Sequence, residues 1–259
     1  MEHMEPVPES PLAAAATVEK ALDVLFALHE SAAPQGVSAL GRTLGLPKSS
    51  THRLLASLAG RGLVERDDAG RYRPGIGLVA LGLGVLEREP VVAAARPVLE
   101  AEAAALGETV FLVAARAGRL VVLEKAEGTG FLRAAPSVGA EVPVHATAVG
   151  KLYLAFDPER VEAPRGRFEA FTPRTPGTAR ALAREVERAR ERGFADNREE
   201  WIPGLSVVAA PVRVRGRMEG AVAIAASTPR FEALGPDALG RRCAIAAERV
   251  AARLEGRSA

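Results

Sequence analysis

The chain has 259 residues, 48% of them hydrophobic and 25% charged, with 34 Lys and Arg against 32 Asp and Glu. That length suits two domains, and the hydrophobic share is ample for packed cores of mostly Leu, Val and Ala, since aromatics make up only 4%. A single cysteine, Cys243, excludes an intramolecular disulfide framework, and the longest uncharged run, the 13 residues 74–86, is too short to span a bilayer. With no charged-then-apolar leader at the start, a soluble cytoplasmic protein is expected.

Residues 1–14 are acidic, contain proline and lack any period, which predicts a disordered tail. From Thr17, a suitable N-cap, Val18, Ala21, Leu22, Leu25 and Leu28 recur at helical spacing and predict a first helix closing a small N-terminal core. Val37, Leu40 and Leu44 then share one face of a short helix ended by Gly45, and Pro47 pre-sets φ for the first turn of the next. In that next helix Leu54, Leu55 and Leu58 form the apolar stripe, and Gly62 closes it. Two short helices around so tight a break make a helix-turn-helix. Residues 63–66 and 71–73 flank the turn chemistry of 67–70, which predicts a hairpin, a wing, directly behind it.

Charge points the same way. Residues 37–73 hold seven Lys and Arg against three acids, a local +4 in a chain whose net charge is only +2. Positive charge is concentrated where a phosphate backbone would lie. The candidate DNA contacts are Lys48, Ser49, Ser50, Thr51, His52 and Arg53 at the start of the second helix, with Arg71 and Arg73 on the wing. Lys and Arg suit phosphates or guanine edges, and the hydroxyls suit bases or phosphates. The competing reading is a helical hairpin that merely packs, with a solvated basic face.

The run 74–86 contains Gly75-x-Gly77-x-x-Ala80, superficially a dinucleotide-binding turn, but no buried parallel strand precedes it and no βαβ unit surrounds it. A linker helix over about 77–88, apolar on too many sides to stand alone in water, is the preferred reading and a candidate dimerisation element. A second domain begins near Pro97 with a helix ending at Gly107. Strands follow at 109–114 and 120–125 around the turn 116–119, with a third at 131–133. The stretch 144–156 is helical in its later part, Thr178 caps a charged helix over 179–192, and Gly193 ends it. A hairpin of 207–214 and 220–227 around 215–219 precedes a closing amphipathic helix over 236–255 containing Cys243. Antiparallel hairpins covered by helices predict an α+β sensor-like domain.

Chemistry has little to stand on. His3, His29, His52 and His145 lie far apart, and no HExxH, CxxC, GxSxG or Walker loop is present, so no metal, cofactor or catalytic set is expected. Cys243, mid-helix among alanines, reads as a buried structural thiol. The best ligand candidate is 144–151, where a small-residue stretch opening a helix leaves backbone N–H groups and a positive dipole end for a carboxylate. Equally, Ala146, Ala148 and Gly150 are small if that helix packs tightly on the sheet. Trp201, the only tryptophan, either walls a pocket or packs on the sheet edge.

Four motifs together, 46–55 (LPKSSTHRLL), 70–73 (GRYR), 144–151 (VHATAVGK) and 204–211 (GLSVVAAP), resemble the IclR family of bacterial transcriptional regulators from about residue 15 to 255. The resemblance implies an α+β fold: a winged helix-turn-helix domain (15–75), a linker helix (76–90) and a GAF-like α/β effector-binding domain (91–259). It implies homodimers or dimers of dimers, a double-stranded DNA operator and a small organic or aromatic acid as effector. The effector walls carried over are Phe131, Val142, Ala148, Val149, Asn197, Leu205, Val207, Ala225 and Ser227. Val207 stands where the family often has Cys, Ala225 replaces a frequently polar position, and the family often has an acid or polar residue near Asn197. The pocket is therefore expected to be more apolar than those for small keto acids, and to take a larger, aromatic or amphipathic carboxylate. The alternative is a small-molecule-binding module whose winged domain serves protein contacts.

Overall fold

The computed structural model describes residues 11–130 and 136–256, with side chains from residue 15. The predicted strand at 131–133, and with it Phe131, lies outside the described residues. The chain divides into two units, with the boundary between Leu86 and Glu87.

The first unit opens with α1, Pro11–Glu30, which begins before Thr17. The alanine run 13–16 has high helix propensity, and Pro11 suits a first turn that needs no N–H. The inward residues of α1 are Val24 and Leu28, whereas Val18, Leu22 and Phe26, spaced four apart, are exposed. Helices α2, Val37–Thr43, and α3, Lys48–Gly60, follow, separated by Gly45 at φ +65°. A Cβ on Gly41 would lie 2.9 Å from the Leu46 carbonyl and 3.1 Å from Thr51 Oγ1, so only glycine lets α3 cross this closely. Strands β1, Val64–Arg66, and β2, Tyr72–Pro74, pair antiparallel as the wing, and Gln35 bridges to Tyr72 through two 2.8 Å hydrogen bonds. Leu40, Leu54, Leu55, Leu58, Val64 and Tyr72 complete the core with Val24 and Leu28.

Helix α4, Ile76–Leu86, ends this unit. Its start is seated on the wing root: Gly77 N–H donates to the Gly62 carbonyl at 2.9 Å, and a Cβ on Gly75 or Gly77 would fall 2.3 or 2.7 Å from that oxygen. The glycine spacing thus serves a close backbone approach and not a nucleotide. No α4 residue is buried among the described residues, and Ile76 is 70% exposed.

In the second unit α5, Pro90–Leu106, begins seven residues before Pro97, which lies inside it. Pro97 sits on the exposed side, where the carbonyl left without a helix partner can be hydrated. Gly107, at φ +74°, ends the helix. Strands β3, Thr109–Arg116, and β4, Arg119–Ala126, join through Ala117 and Gly118, both at positive φ, a two-residue turn whose twist matches the strands. Strands β5, Glu141–Val142, and β6, Ala195–Arg198, are additions to the predicted set. Strands β7, Leu205–Val214, and β8, Arg217–Ser227, run longer than the sequence pattern suggests, because their turn is only Arg215 and Gly216. The antiparallel sheet has the order β5-β4-β3-β8-β7-β6.

Helices α5 and α9, Pro236–Leu254, pack on one face, where the buried Cys243 thiol donates to the Val222 carbonyl at 3.1 Å. On the other face α6, Ala148–Phe156, lies over Phe111, Val113, Val207 and Ala223, and α7, Ala179–Arg192, packs on α6. Thr178 and Gly193 cap α7. The short α8, Thr228–Leu234, lies between β8 and α9 and is a further addition to the predicted set. Among the described residues no helix is long and apolar enough to cross a membrane, and no group of three acids, histidines or cysteines could hold a metal.

Candidate functional site

In the first unit the N-terminal end of α3 is polar because its apolar residues fall on one stripe. Lys48, Ser49, His52 and Arg53 are exposed and Ser50 is half-buried. Thr51 differs. It is fully buried against Gly41, and its hydroxyl donates to the Pro47 carbonyl at 3.1 Å. It shares the stripe of Leu54, Leu55 and Leu58, so it belongs to the core and not to an outward face.

Neither Lys48 nor Arg53 is held by an acid among the described residues, whereas both wing arginines are. Arg71 Nε lies 3.0 Å from Asp67 Oδ2, and Arg73 Nη2 lies 3.1 Å from Glu65 Oε2. Asp67 also accepts the Arg71 amide at 2.7 Å, and Glu65 accepts the Ile76 amide at 3.0 Å. These backbone bonds first, then the guanidinium partners, hold both carboxyls below the usual range. Arg71 and Arg73 thus share their charge with a carboxylate, whereas Lys48 and Arg53 have no acid against them among the described residues.

In the second unit a cavity of about 20 Å³ lies between α6 and the sheet. Val142, Ala148, Val149, Asn197, Leu205 and Val207 line it, together with Phe111, Val113, Pro136, Thr147, Trp201 and Ile202. Six of the nine residues expected there are thus brought together. Ala225, between Thr109 and Val207 in the sheet, is buried in the core and does not line the cavity. Ser227, paired with Leu205 at the strand end, borders a separate open depression with Gly107, Glu108 and Arg230. Phe131 lies outside the described residues. Trp201 walls the cavity, the first of the two roles open to it. The missed Phe111 and Val113 share a face by period-2 alternation, a signal the sequence carries, though which face meets α6 is a tertiary fact.

Several motif residues prove structural. Gly150 is required because a Cβ there would lie 1.9 Å from the Val144 carbonyl oxygen. His145 Nε2 donates to the Glu169 carbonyl at 2.8 Å, and its ring stacks near Phe171. Thr147 Oγ1 accepts the Gly150 amide at 3.1 Å and donates to the Pro143 carbonyl at 2.8 Å. One helix-start donor is therefore already taken, and a carboxylate at this end would meet the amides of Ala148 and Val149. Asn197 is buried, with Nδ2 donating to the Ala146 carbonyl at 2.9 Å and Oδ1 accepting the Val207 amide at 3.1 Å. Thr147 and Asn197 are the polar residues in an otherwise apolar wall.

Two family models match: the IclR helix-turn-helix domain over residues 17–68 and the bacterial transcriptional regulator IclR C-terminal domain over residues 83–252. The chain is 33% identical to the glycerol operon regulatory protein of Streptomyces coelicolor, over 83% of this chain and 86% of that one. The crystal structure of Thermotoga maritima IclR has a similar fold, with a TM-score of 0.72, 26% identity, and coverage of 93% of this chain and 99% of that one. An IclR homologue from Microbacterium hydrocarbonoxydans complexed with 4-hydroxybenzoate has the same fold at 22% identity, with a TM-score of 0.74 and coverage of 92% and 99%. With both models matched in order along one chain, a helix-turn-helix DNA-binding unit followed by an effector domain, this chain belongs to the IclR family of bacterial transcriptional regulators.

Proposed function

We propose that this regulator responds to an aromatic or amphipathic carboxylic acid bound between α6 and the sheet. The observation that carries the reading is the make-up of the cavity: apolar walls closed by an indole, with the N-terminal turn of α6 at one side. The apolar walls would take a ring, and the amides of Ala148 and Val149 would take the carboxylate. Val142, Leu205 and Val207 supply apolar contact, and Asn197 fixes the polar edge.

On DNA, Lys48, Ser49, Ser50, His52 and Arg53 of α3 are assigned to the major groove, and Arg71 and Arg73 to the backbone or the minor groove. The protein acts in the cytoplasm as a homodimer or dimer of dimers on a partly palindromic operator. The dimer is supported by two sets of exposed apolar side chains, Val18, Leu22 and Phe26 on α1 and Ile76, Val79, Leu81, Leu83 and Val85 on α4. We assign a head over 15–75, a linker over 76–90 and an effector domain over 91–259. An effector then acts only through its differential affinity for DNA-competent and DNA-incompetent arrangements of the heads.

The test uses Trp201 as its own reporter. Titration with 4-hydroxybenzoate and a series of substituted benzoates and arylacetates is expected to give a saturable change in emission, lost in Ala148→Phe. A series in which no acid changes the emission, or changes it equally in Ala148→Phe, contradicts the assignment.

A further inference from the structure

The cavity is too small for the ligand class proposed for it. At about 20 Å³ it holds little more than one water, whereas a site for a ring needs on the order of 150 Å³ or more. A wall must move, and most walls are fixed. Phe111, Val113 and Val207 stand on inner strands of the sheet. The α6 wall is pinned by Thr147 at one end and by Tyr153 at the other, whose hydroxyl accepts the Ala115 amide at 3.0 Å.

The loop 199–204, which carries Trp201 and Ile202, is different. It is bounded by Glu199 at φ +59° and Gly204 at φ +76°, and a side-chain-bearing residue resists the first of these conformations. The loop is held down by discrete polar contacts. Thr172 and Thr175 hydroxyls donate to the Glu199 and Glu200 carbonyls at 2.6 Å each. The one side-chain tie to α6 among the described residues is Lys151. It is 1% exposed, and its Nζ donates to Glu200 Oε1 at 2.7 Å and to the Asp196 carbonyl at 2.8 Å. Glu185 Oε2 lies 3.5 Å from the same nitrogen. The second Glu200 oxygen is buried with no partner among the described residues, and burial pushes this carboxyl above its ordinary range despite Lys151. The Glu200 carboxylate therefore has little to hold it inside except Lys151, whereas Lys151 keeps Asp196 and Glu185 if that carboxylate leaves.

We propose that Lys151 and Glu200 are positioning residues that latch the loop 199–204 over the cavity, making Trp201 and Ile202 a lid that swings about Glu199 and Gly204 to admit the effector. This rests on reading the cavity as the effector site. The asymmetry of the contact suits a latch. Breaking it strands no charge on α6, and it frees an acid that burial disfavours to reach water.

Trp201 allows a test on the full-length protein without any ligand. Glu200→Ala is expected to raise acrylamide quenching of Trp201 severalfold and shift its emission to the red, with the far-ultraviolet circular dichroism unchanged. Glu185→Ala removes the other carboxylate near Lys151 and leaves the latch, so it is expected to quench as the wild type does. If Glu200→Ala does not fold, Glu200→Gln, which keeps the volume and one acceptor, gives a smaller rise in the same direction. Wild-type quenching in a folded Glu200 variant, or an equal rise in Glu185→Ala, overturns the latch. Because the readout uses no ligand, it stands even if 4-hydroxybenzoate and its relatives fail to bind. Ligand binding together with unchanged quenching in the Glu200 variants would remove the latch and keep the effector site.

Discussion

Asn197→Asp changes one atom in the cavity wall and converts its geometry into a pH dependence. Asparagine here satisfies two buried backbone groups at once, donating to the Ala146 carbonyl at 2.9 Å and accepting the Val207 amide at 3.1 Å. A protonated Asp can repeat both contacts. An ionised Asp keeps the acceptor for Val207 but sets an oxygen against the Ala146 carbonyl at a position only 4% exposed. The folded-state pKa of the new carboxyl is therefore raised above its unfolded value of about 3.9. Its contribution to stability is fully present below the unfolded value and is lost as pH climbs to the folded one, at about 1.4 kcal/mol for each pH unit between the two. A folded value about two to three pH units above the unfolded one is common for a buried carboxyl, and it makes the variant roughly 3–4 kcal/mol less stable than wild type at neutral pH and nearly equal near pH 4. Urea unfolding followed by Trp201 emission across that range measures the difference, and comparison with wild type at each pH cancels the other titrations. A deficit that does not change with pH would refute the paired hydrogen bonds at Asn197.

Thr51→Val should cost only about 0.5–1.5 kcal/mol, because the Pro47 carbonyl still accepts the residue 51 amide, and should leave DNA affinity unchanged. A large loss of affinity in a folded variant would return Thr51 to the DNA interface. Gly150→Ala must displace α6 from the Val144 carbonyl, and calorimetry should show a loss of about 3 kcal/mol or more. A loss within about 0.5 kcal/mol would mean that this approach is not tight. Cys243 is fully buried, and burial pushes its thiol up, so a thiol reagent at neutral pH should label it only at the rate of unfolding. Rapid stoichiometric labelling of native protein would contradict that packing.

Much of this structure is legible in the sequence where the signal is local. The break at Gly45 and Pro47, the Leu54–Leu55–Leu58 stripe, the wing turn and both caps of α7 lie where their residue types require them. The same stripe also places Thr51, which precedes Leu54 and Leu55 by three and four positions, but its hydroxyl suggests DNA. Pro97 reads as a boundary, although a proline on a solvated helix face is tolerated. What stays hidden is non-local. Ala225 looks like a cavity wall until the register sets it between Thr109 and Val207 in the buried sheet, and Lys151 finds its partners 45 and 49 residues further along the chain. No spacing rule reaches that far.

If the polar end of α3 reads DNA through cations already free to do so, salt dependence exposes it most directly. The measurement is a salt titration of binding to DNA from the protein's own upstream region and to random duplex, for wild type, Arg53→Ala and Arg73→Ala. Wild type should bind tightly and salt-steeply, with a preference for the upstream DNA. If Arg53 serves a phosphate, Arg53→Ala lowers the slope by about 0.9, and if it serves a base edge, the change costs about 1–3 kcal/mol and relaxes specificity. Arg73→Ala has a smaller effect, since Glu65 already offsets part of the Arg73 charge. Wild-type affinity and slope in Arg53→Ala, or binding insensitive to salt, would contradict a DNA-reading role for this end of α3.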